Sequence, residues 1–213
     1  MGRRITALTA QKNNPQKVNV FLDGEYAFSL ARLVAAWLKV GDSLDEEKIT
    51  LLQQNNQREE AYQAGIRLLS FRNRTKSEIE KRLIEKGFPL EVVQETLSKM
   101  VDEKLIDDSR YAVNYVEYRS GNLPRSRRFL AYELRQKGID DEIAATAIQE
   151  IADDLTLAKQ AAEKYVSRLH GLENEVFRRR LTGYLGRRGF SYDVITEVIR
   201  EIMSGVKNKM DKE

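Results

Sequence analysis

Apolar residues change their period once along this chain. Val18-Asn19-Val20-Phe21-Leu22 and Glu25-Tyr26-Ala27-Phe28-Ser29-Leu30 are runs rich in β-branched and aromatic residues on either side of Asp23-Gly24. Asp-Gly tolerates positive φ at both positions, so the segment predicts a hairpin with a type I′ turn. Ile5, Ala7 and Thr9 alternate with Thr6, Leu8 and Ala10, which predicts a third strand over 5–11. Val34 to Leu38 predicts a short helix stopped by Gly41. Asp45-Glu46-Glu47 opens another with negative charge at its N-terminus. A lone hairpin is marginal in water. This small α+β extension, residues 1–57, therefore packs on its own helices or on the next module.

From Arg58 onward the period is helical, and the pattern repeats. Leu83-Ile84-Glu85-Lys86-Gly87-Phe88, Leu134-Arg135-Gln136-Lys137-Gly138-Ile139 and Leu185-Gly186-Arg187-Arg188-Gly189-Phe190 place their glycines 51 residues apart both times. Ile79, Leu130 and Leu181 align at the same step, as do Val92, Ile143 and Val194. So do Leu97, Ile148 and Ile199, and Met100, Ile151 and Ile202. In-phase apolar columns together with a Lys/Arg-Gly step define a threefold internal repeat. Each repeat predicts three helices. The first covers about Arg58–Phe71, Asp108–Arg119 and Thr156–Leu169. The second ends at the Lys/Arg-Gly, where glycine takes the left-handed position and the cation meets the negative helix end. The third starts at Pro89, Asp140 and Ser191, residues that suit a helix N-terminus. Thr75-Lys76-Ser77-Glu78 fits a capping box. Val92, Thr96, Leu97 and Met100 make one buried stripe.

The chain therefore reads as mainly α: a tandem array of three three-helix repeats behind a small α+β extension. The repeats occupy 58–107, 108–155 and 156–204, followed by a frayed basic tail over 205–213 that carries Lys207, Lys209 and Lys212. Composition agrees, with only 12 Gly and 3 Pro in 213 residues and 41% hydrophobic residues. Cysteine is absent and His170 is the single histidine. Disulfides, thiol catalysis, Cys-ligated metals and two-histidine metal sites are thereby excluded. No apolar run approaches the ~20 residues of a membrane span. Met1-Gly2-Arg3-Arg4-Ile5-Thr6 formally fits the loose myristoylation pattern, but it has no apolar signal core. The expectation is a cytoplasmic monomer with no cofactor.

A formal charge of +3 says little, because the basic charge is local. Arg119, Arg125, Arg127, Arg128, Arg135 and Lys137 cluster around the second helix of repeat two, with Glu133 the one acid in their chain neighbourhood. Arg178-Arg179-Arg180 and Arg187-Arg188 crowd the equivalent region of repeat three. Guanidinium forks match phosphates and carboxylates. Successive residues of a helix point about 100° apart, so Arg178–Arg180 cannot all face one partner. Tyr111, Tyr115 and Tyr118 form one stripe at i, i+4, i+7, either inter-helix packing or a stacking strip. Asp107-Asp108 reads as an N-cap, with a metal site as the alternative. Gly186-x-x-Gly189 is a helix end rather than a phosphate loop, and His170 has no triad context. Nothing here looks catalytic.

Leu105-Ile106-Asp107-Asp108-Ser109-Arg110-Tyr111-Ala112, then Arg119, then Glu133-Leu134-Arg135-Gln136-Lys137-Gly138-Ile139, resembles the core of the RecX family, bacterial regulators of the RecA recombinase. Arg187-Arg188-Gly189-Phe190-Ser191-Tyr192 resembles its third repeat. Phe71-Arg72-Asn73-Arg74-Thr75, with Glu78 and Leu83, resembles its first. Gly24-Glu25-Tyr26-Ala27-Phe28 resembles the extension of the Gram-positive branch. Two departures stand out: Ser120-Gly121-Asn122-Leu123-Pro124 with arginines crowded behind it, and Pro89 in place of a polar helix start. The resemblance implies an array lying in the groove of the RecA–DNA filament, bridging subunits. It implies modulation, mostly inhibition, of ATP hydrolysis, strand exchange and co-protease activity, with no catalysis by this chain and weak or indirect contact with DNA. The expected partner-binding residues are Tyr111, Arg119, Arg125, Arg127, Arg128, Lys137, Arg187 and Arg188. Two other readings stay open: a sequence-tolerant DNA-binding protein acting without a recombinase, and a purely structural adaptor.

Overall fold

The computed structural model describes residues 2–210, with side chains as far as Ser204. Its elements group into two bodies, one within residues 1–106 and one within 107–213. In the first, strands β1 (Arg3–Gln11), β2 (Asn14–Leu22), β3 (Glu25–Ala31) and β4 (Ser43–Leu44) form a sheet of order β3-β2-β1-β4, antiparallel at each pairing. The β2–β3 turn has Asp23 at φ 52° and Gly24 at φ 90°, the two positive angles a type I′ turn needs.

Strict alternation fails in β1. The register passes from Ile5 opposite Leu22 to Ala7 opposite Phe21, so Thr6 is an extra residue. That bulge puts both Ile5 and Leu8 on the core side, with Val20, Leu22, Leu30 and Leu44. The Thr6 hydroxyl accepts the Gly24 N–H at 2.9 Å and ties the bulge to the turn. The expected helix over Val34–Leu38 is one turn, α1 (Arg32–Ala35). Gly41 caps no helix. At φ 103° its N–H donates to Ile5 O at 2.8 Å and continues the sheet edge.

Helix α2 (Glu46–Phe71) starts at the Asp45 cap, whose carboxylate accepts the Lys48 N–H at 2.9 Å. It runs 26 residues without a break across 57/58, where the sequence divides into extension and first repeat. Its N-terminal half packs Ile49 and Leu52 on the sheet. Its C-terminal half packs Ala64 on α3 (Lys76–Glu85) and α4 (Leu90–Asp102). The second body holds α5 (Asp108–Asn122), α6 (Arg127–Gln136) and α7 (Asp141–Gln149). Then come α8 (Asp154–Val166), a short 3-10 turn, α9 (Asn174–Gly186) and α10 (Tyr192–Met210). The backbone of residues 205–210 continues α10, and 211–213 of the expected basic tail lie outside the described residues.

The three second helices end alike. Gly87, Gly138 and Gly189 have φ of 89°, 73° and 85°. In each, the glycine N–H bonds back three residues, and the next N–H bonds back five: Phe88 to Leu83, Ile139 to Leu134 and Phe190 to Leu185. This is the Schellman closure, and its apolar clasp joins the same residue pairs. Leu83, Leu134 and Leu185 are fully buried, as are Ile79, Leu130 and Leu181 one turn earlier. Each such side chain contributes about 1.5–3 kcal/mol of burial. The third helices begin after Pro89, Asp140 and Ser191. Their inward stripe is one residue off the sequence reading. Val93, Ala144 and Ile195 are buried, while Val92, Ile143 and Val194 are half-buried. The packed spacing is therefore i, i+3, i+4, i+7 through Val93, Thr96, Leu97 and Met100.

Candidate partner-binding site

The residues between α5 and α6 give the arginines their positions. Ser126, fully buried, caps α6 by accepting the Phe129 N–H at 3.1 Å, and its own N–H donates to Arg188 O at 3.1 Å. The α6 start is thereby pinned to the α9 end. Farther along α6, Glu133 joins two of the arginines. Its Oε1 accepts from Arg119 Nη2 at 3.0 Å and from Arg125 Nη1 at 3.1 Å. All three side chains are mostly buried, with Glu133 only 14% exposed. Arg119 also donates to the Tyr115 hydroxyl at 3.1 Å. Burial works against its charge, but Tyr115 and Glu133 outweigh it and raise its pKa further. Arg125 lies 4.5 Å over the Phe129 ring. Glu133 Oε2 is buried with no hydrogen-bond partner among the described residues.

Arg127 is a clamp. Its backbone N–H donates to Asp154 Oδ1 at 2.7 Å, and its guanidinium donates to the carbonyls of Ile151 and Ala152 just past α7. A cation on carbonyls at a helix C-terminus also favours the helix dipole. Arg128, the next residue, is exposed and has no ion pair among the described residues.

Aromatic rings carry the other cations. Tyr111 and Tyr115 stack at 6.3 Å, half-buried against the α5–α7 core, and Lys137 Nζ lies 5.7 and 5.3 Å from their centroids. Tyr118, the third member of the stripe, is instead 62% exposed. Arg188 lies 3.8 Å over Tyr184, which packs on the core of the third domain and stacks on Tyr165 at 3.9 Å and 4°. Arg187 beside it is exposed, with no ion pair among the described residues. Gly189 closes the seam. A methyl group there would sit 2.7 Å from Ser126 Oγ and 2.8 Å from Phe129 Cβ.

The structure thus divides the sequence-predicted set. Arg119, Arg125, Arg127 and Arg188 are tied into packing. Tyr111 and Lys137 form a half-buried stack. Arg128 and Arg187 point outward. Sequence reasoning missed Glu133, Asp154, Tyr165 and Tyr184 as organising residues. The signal for Glu133 was its standing alone among six cations. Asp107 caps α5, accepting the Arg110 N–H at 2.8 Å. His170 is exposed beyond α8. Among the described residues no group of three His, Cys, Asp or Glu side chains could hold a metal ion, and no helix is long and apolar enough to cross a membrane.

Three three-helix domains following a small antiparallel sheet make a modular, mainly helical protein. Sequence models of a known family match each part: the RecX N-terminal domain over 3–45, and its first, second and third three-helix domains over 61–100, 107–148 and 152–199. The regulatory protein RecX of Bacillus pumilus is 32% identical over 98% of this chain and 81% of its own length. That of Bacillus licheniformis is 33% identical over 92% and 76%. A crystal structure of a regulatory protein RecX superposes with TM-score 0.72 at 32% identity, covering 93% of this chain and 99% of that one. RecX from Lactobacillus salivarius superposes at 0.61 and 28%, covering 69% and 97%. The chain belongs to the RecX family of regulatory proteins.

Proposed function

We propose that this chain binds in the groove of the RecA recombinase filament and modulates its ATPase, strand-exchange and co-protease activities, mostly by inhibition. The observation that carries the reading is the recurrence of braced cations at equivalent helix ends. Lys137 over Tyr111 and Tyr115, and Arg188 over Tyr184, are 51 residues apart and close the second helices of successive domains. A repeat of this kind suits a repeating, negatively charged partner, which a nucleoprotein filament is. In this reading the braced Lys137 and Arg188 face the partner, and the exposed Arg128 and Arg187 contact it as well. Arg119, Arg125 and Arg127 hold the surface in shape.

The test is the single-strand-DNA-dependent ATPase of the recombinase from the same genome, titrated with this protein, beside binding of the same DNA without recombinase. Inhibition well below one protein per recombinase subunit is expected, and it is lost in R128E/R187E. Inhibition that starts only when the DNA is saturated would mean competition for DNA and would replace this reading with sequence-tolerant DNA binding. Full inhibition by a folded R128E/R187E variant would remove those residues from the contact.

A further inference from the structure

The sheet of the first body has two edges, and they are guarded differently. On the β3 side the register passes from Phe28 opposite Val20 to Tyr26 opposite Phe21, so Ala27 bulges out. The Ala31 N–H at the end of that strand donates to Asn56 Oδ1 at 2.6 Å. On the other side β4 pairs with Arg3 and Arg4 alone. Ile5 is covered as well, since its N–H donates to Asp42 O and its carbonyl accepts the Gly41 N–H, both at 2.8 Å. Ile5 thus turns its backbone groups away from β2. Past the Thr6 bulge, Leu8 opposite Val20 and Ala10 opposite Val18 hold the same kind of position. Each leaves one outward N–H and one outward C=O with no partner among the described residues.

Natural sheets guard such an edge with a lysine, a proline or a covering segment. Ala7-Leu8-Thr9-Ala10-Gln11 has neither charge nor proline, in a chain with 32% charged residues, and Thr9 and Ala10 are exposed. The stretch is complementary to itself. Laid antiparallel on a second copy about Thr9, it sets Leu8 opposite Ala10 twice, and the open groups close four hydrogen bonds. Thr9 then meets its own copy, and Ala7 meets Gln11. One residue on, Lys12 falls opposite Thr6, beside Asp42. Lys12 and Asp42 are both exposed and in no ion pair among the described residues. A cation therefore meets an anion at each end of the pairing. A foreign strand could fill the four bonds but would leave Lys12 and Asp42 unmatched.

We propose that two copies of this chain pair through the β1 edge, about a two-fold axis at Thr9, and join their four-stranded sheets into one. A five-residue edge is small beside the roughly 1,600 Å² of a stable interface, so the dimer is a weak one. It replaces the monomer expected from the sequence, and it does not depend on recombinase binding.

Sedimentation equilibrium of the full-length protein, without recombinase or DNA, tests this up to about 1 mM, where so small an interface is partly associated. The average mass should rise with concentration from 24.6 kDa toward twice that value. Ala10→Pro removes an outward N–H that the β2 ladder does not use, so the sheet stays intact while association weakens about tenfold or more. Ala10→Gly keeps the N–H and should associate like the native chain. Thr9→Lys and Thr9→Glu each set like charges face to face and should be monomers, and mixing the two should restore the pair. A constant mass over the whole range overturns the proposal, as does equal association in Ala10→Pro with unchanged circular dichroism. A mixture of the Thr9 variants that stays monomeric overturns it too. So does a monomer that binds an added alternating threonine–valine peptide, which would make the occupant a foreign strand.

Discussion

Gly87→Ala and Gly189→Ala separate backbone conformation from packing. Both glycines close a second helix with the same bonds, at φ 89° and 85°. An alanine in the left-handed region costs about 1–2 kcal/mol at either site. At Gly87 an added methyl meets nothing within 4 Å. At Gly189 it meets Ser126 Oγ at 2.7 Å, Phe129 Cβ at 2.8 Å and the Phe129 ring at 2.9 Å. Neither neighbour yields easily. Ser126 is held at both ends, by the Phe129 N–H on its hydroxyl and by Arg188 O on its N–H. Overpacking of a fixed site costs about 1–3 kcal/mol more. Gly189→Ala should therefore lose about 2–5 kcal/mol and Gly87→Ala about 1–2. Urea unfolding followed by circular dichroism measures the totals. Hydrogen exchange assigns them, with protection falling in α6 and α9 for the first variant and in α3 for the second. Equal losses in the two variants would refute the packing argument, because the backbone contribution is common to both.

Other variants test the internal ties. Glu133→Gln removes the charge shared by Arg119 and Arg125 and should cost on the order of 3 kcal/mol in urea unfolding, since two mostly buried guanidinium groups lose their counter-charge. Arg127→Ala should cost about 1–3 kcal/mol and speed hydrogen exchange at the end of α7, leaving α3 unchanged. Asp153 caps α8, and the backbone N–H of Thr156 holds its carboxyl below the usual range. Its contribution is present above the unfolded carboxylate pKa near 3.8 and is lost as pH falls through the lower folded value. Asp153→Asn should flatten that acid limb in a pH series of melts. The Tyr62 hydroxyl donates to Glu103 at 2.6 Å, which raises its pKa above the ordinary 10.0. That contribution is full below the unfolded pKa and fades as pH rises through the folded one, so Tyr62→Phe should remove the fading from alkaline melts.

What the sequence disclosed was what neighbours in the chain determine. The second-helix ends were legible because closure needs one positive-φ glycine, with its apolar clasp five residues apart in the chain. The helix starts at Thr75, Asp107, Asp140 and Ser191 were legible because a cap bonds two or three residues ahead. Val92 reads as well as Val93 along the chain, because both are valine and α4 offers either a plausible stripe. Only the approach of α2 decides it. The Thr6 bulge was hidden because an extra residue in one strand exists only relative to its partner. The candidate site follows the same division. Its arginines are visible in the chain, but Glu133 and the Ile151 and Ala152 carbonyls, which turn Arg119, Arg125 and Arg127 inward, lie 8 to 25 residues away and reach them only through folding.

The unbroken course of α2 fixes a phase. An α-helix turns by about 100° and advances about 1.5 Å per residue. One residue inserted near Gln57 would rotate the sheet by that angle about the helix axis. The ion pair of Lys17 on the sheet with Glu60 beyond the junction, 2.7 Å long, would be pulled apart, although every local contact on either side could survive. Four residues would bring the sheet back to within about 40° but some 6 Å farther out. The segment between sheet and first domain is therefore a keyed shaft rather than a tether. Its length can change only in steps close to a whole turn if the sheet and the first three-helix domain are to go on presenting the same faces to each other.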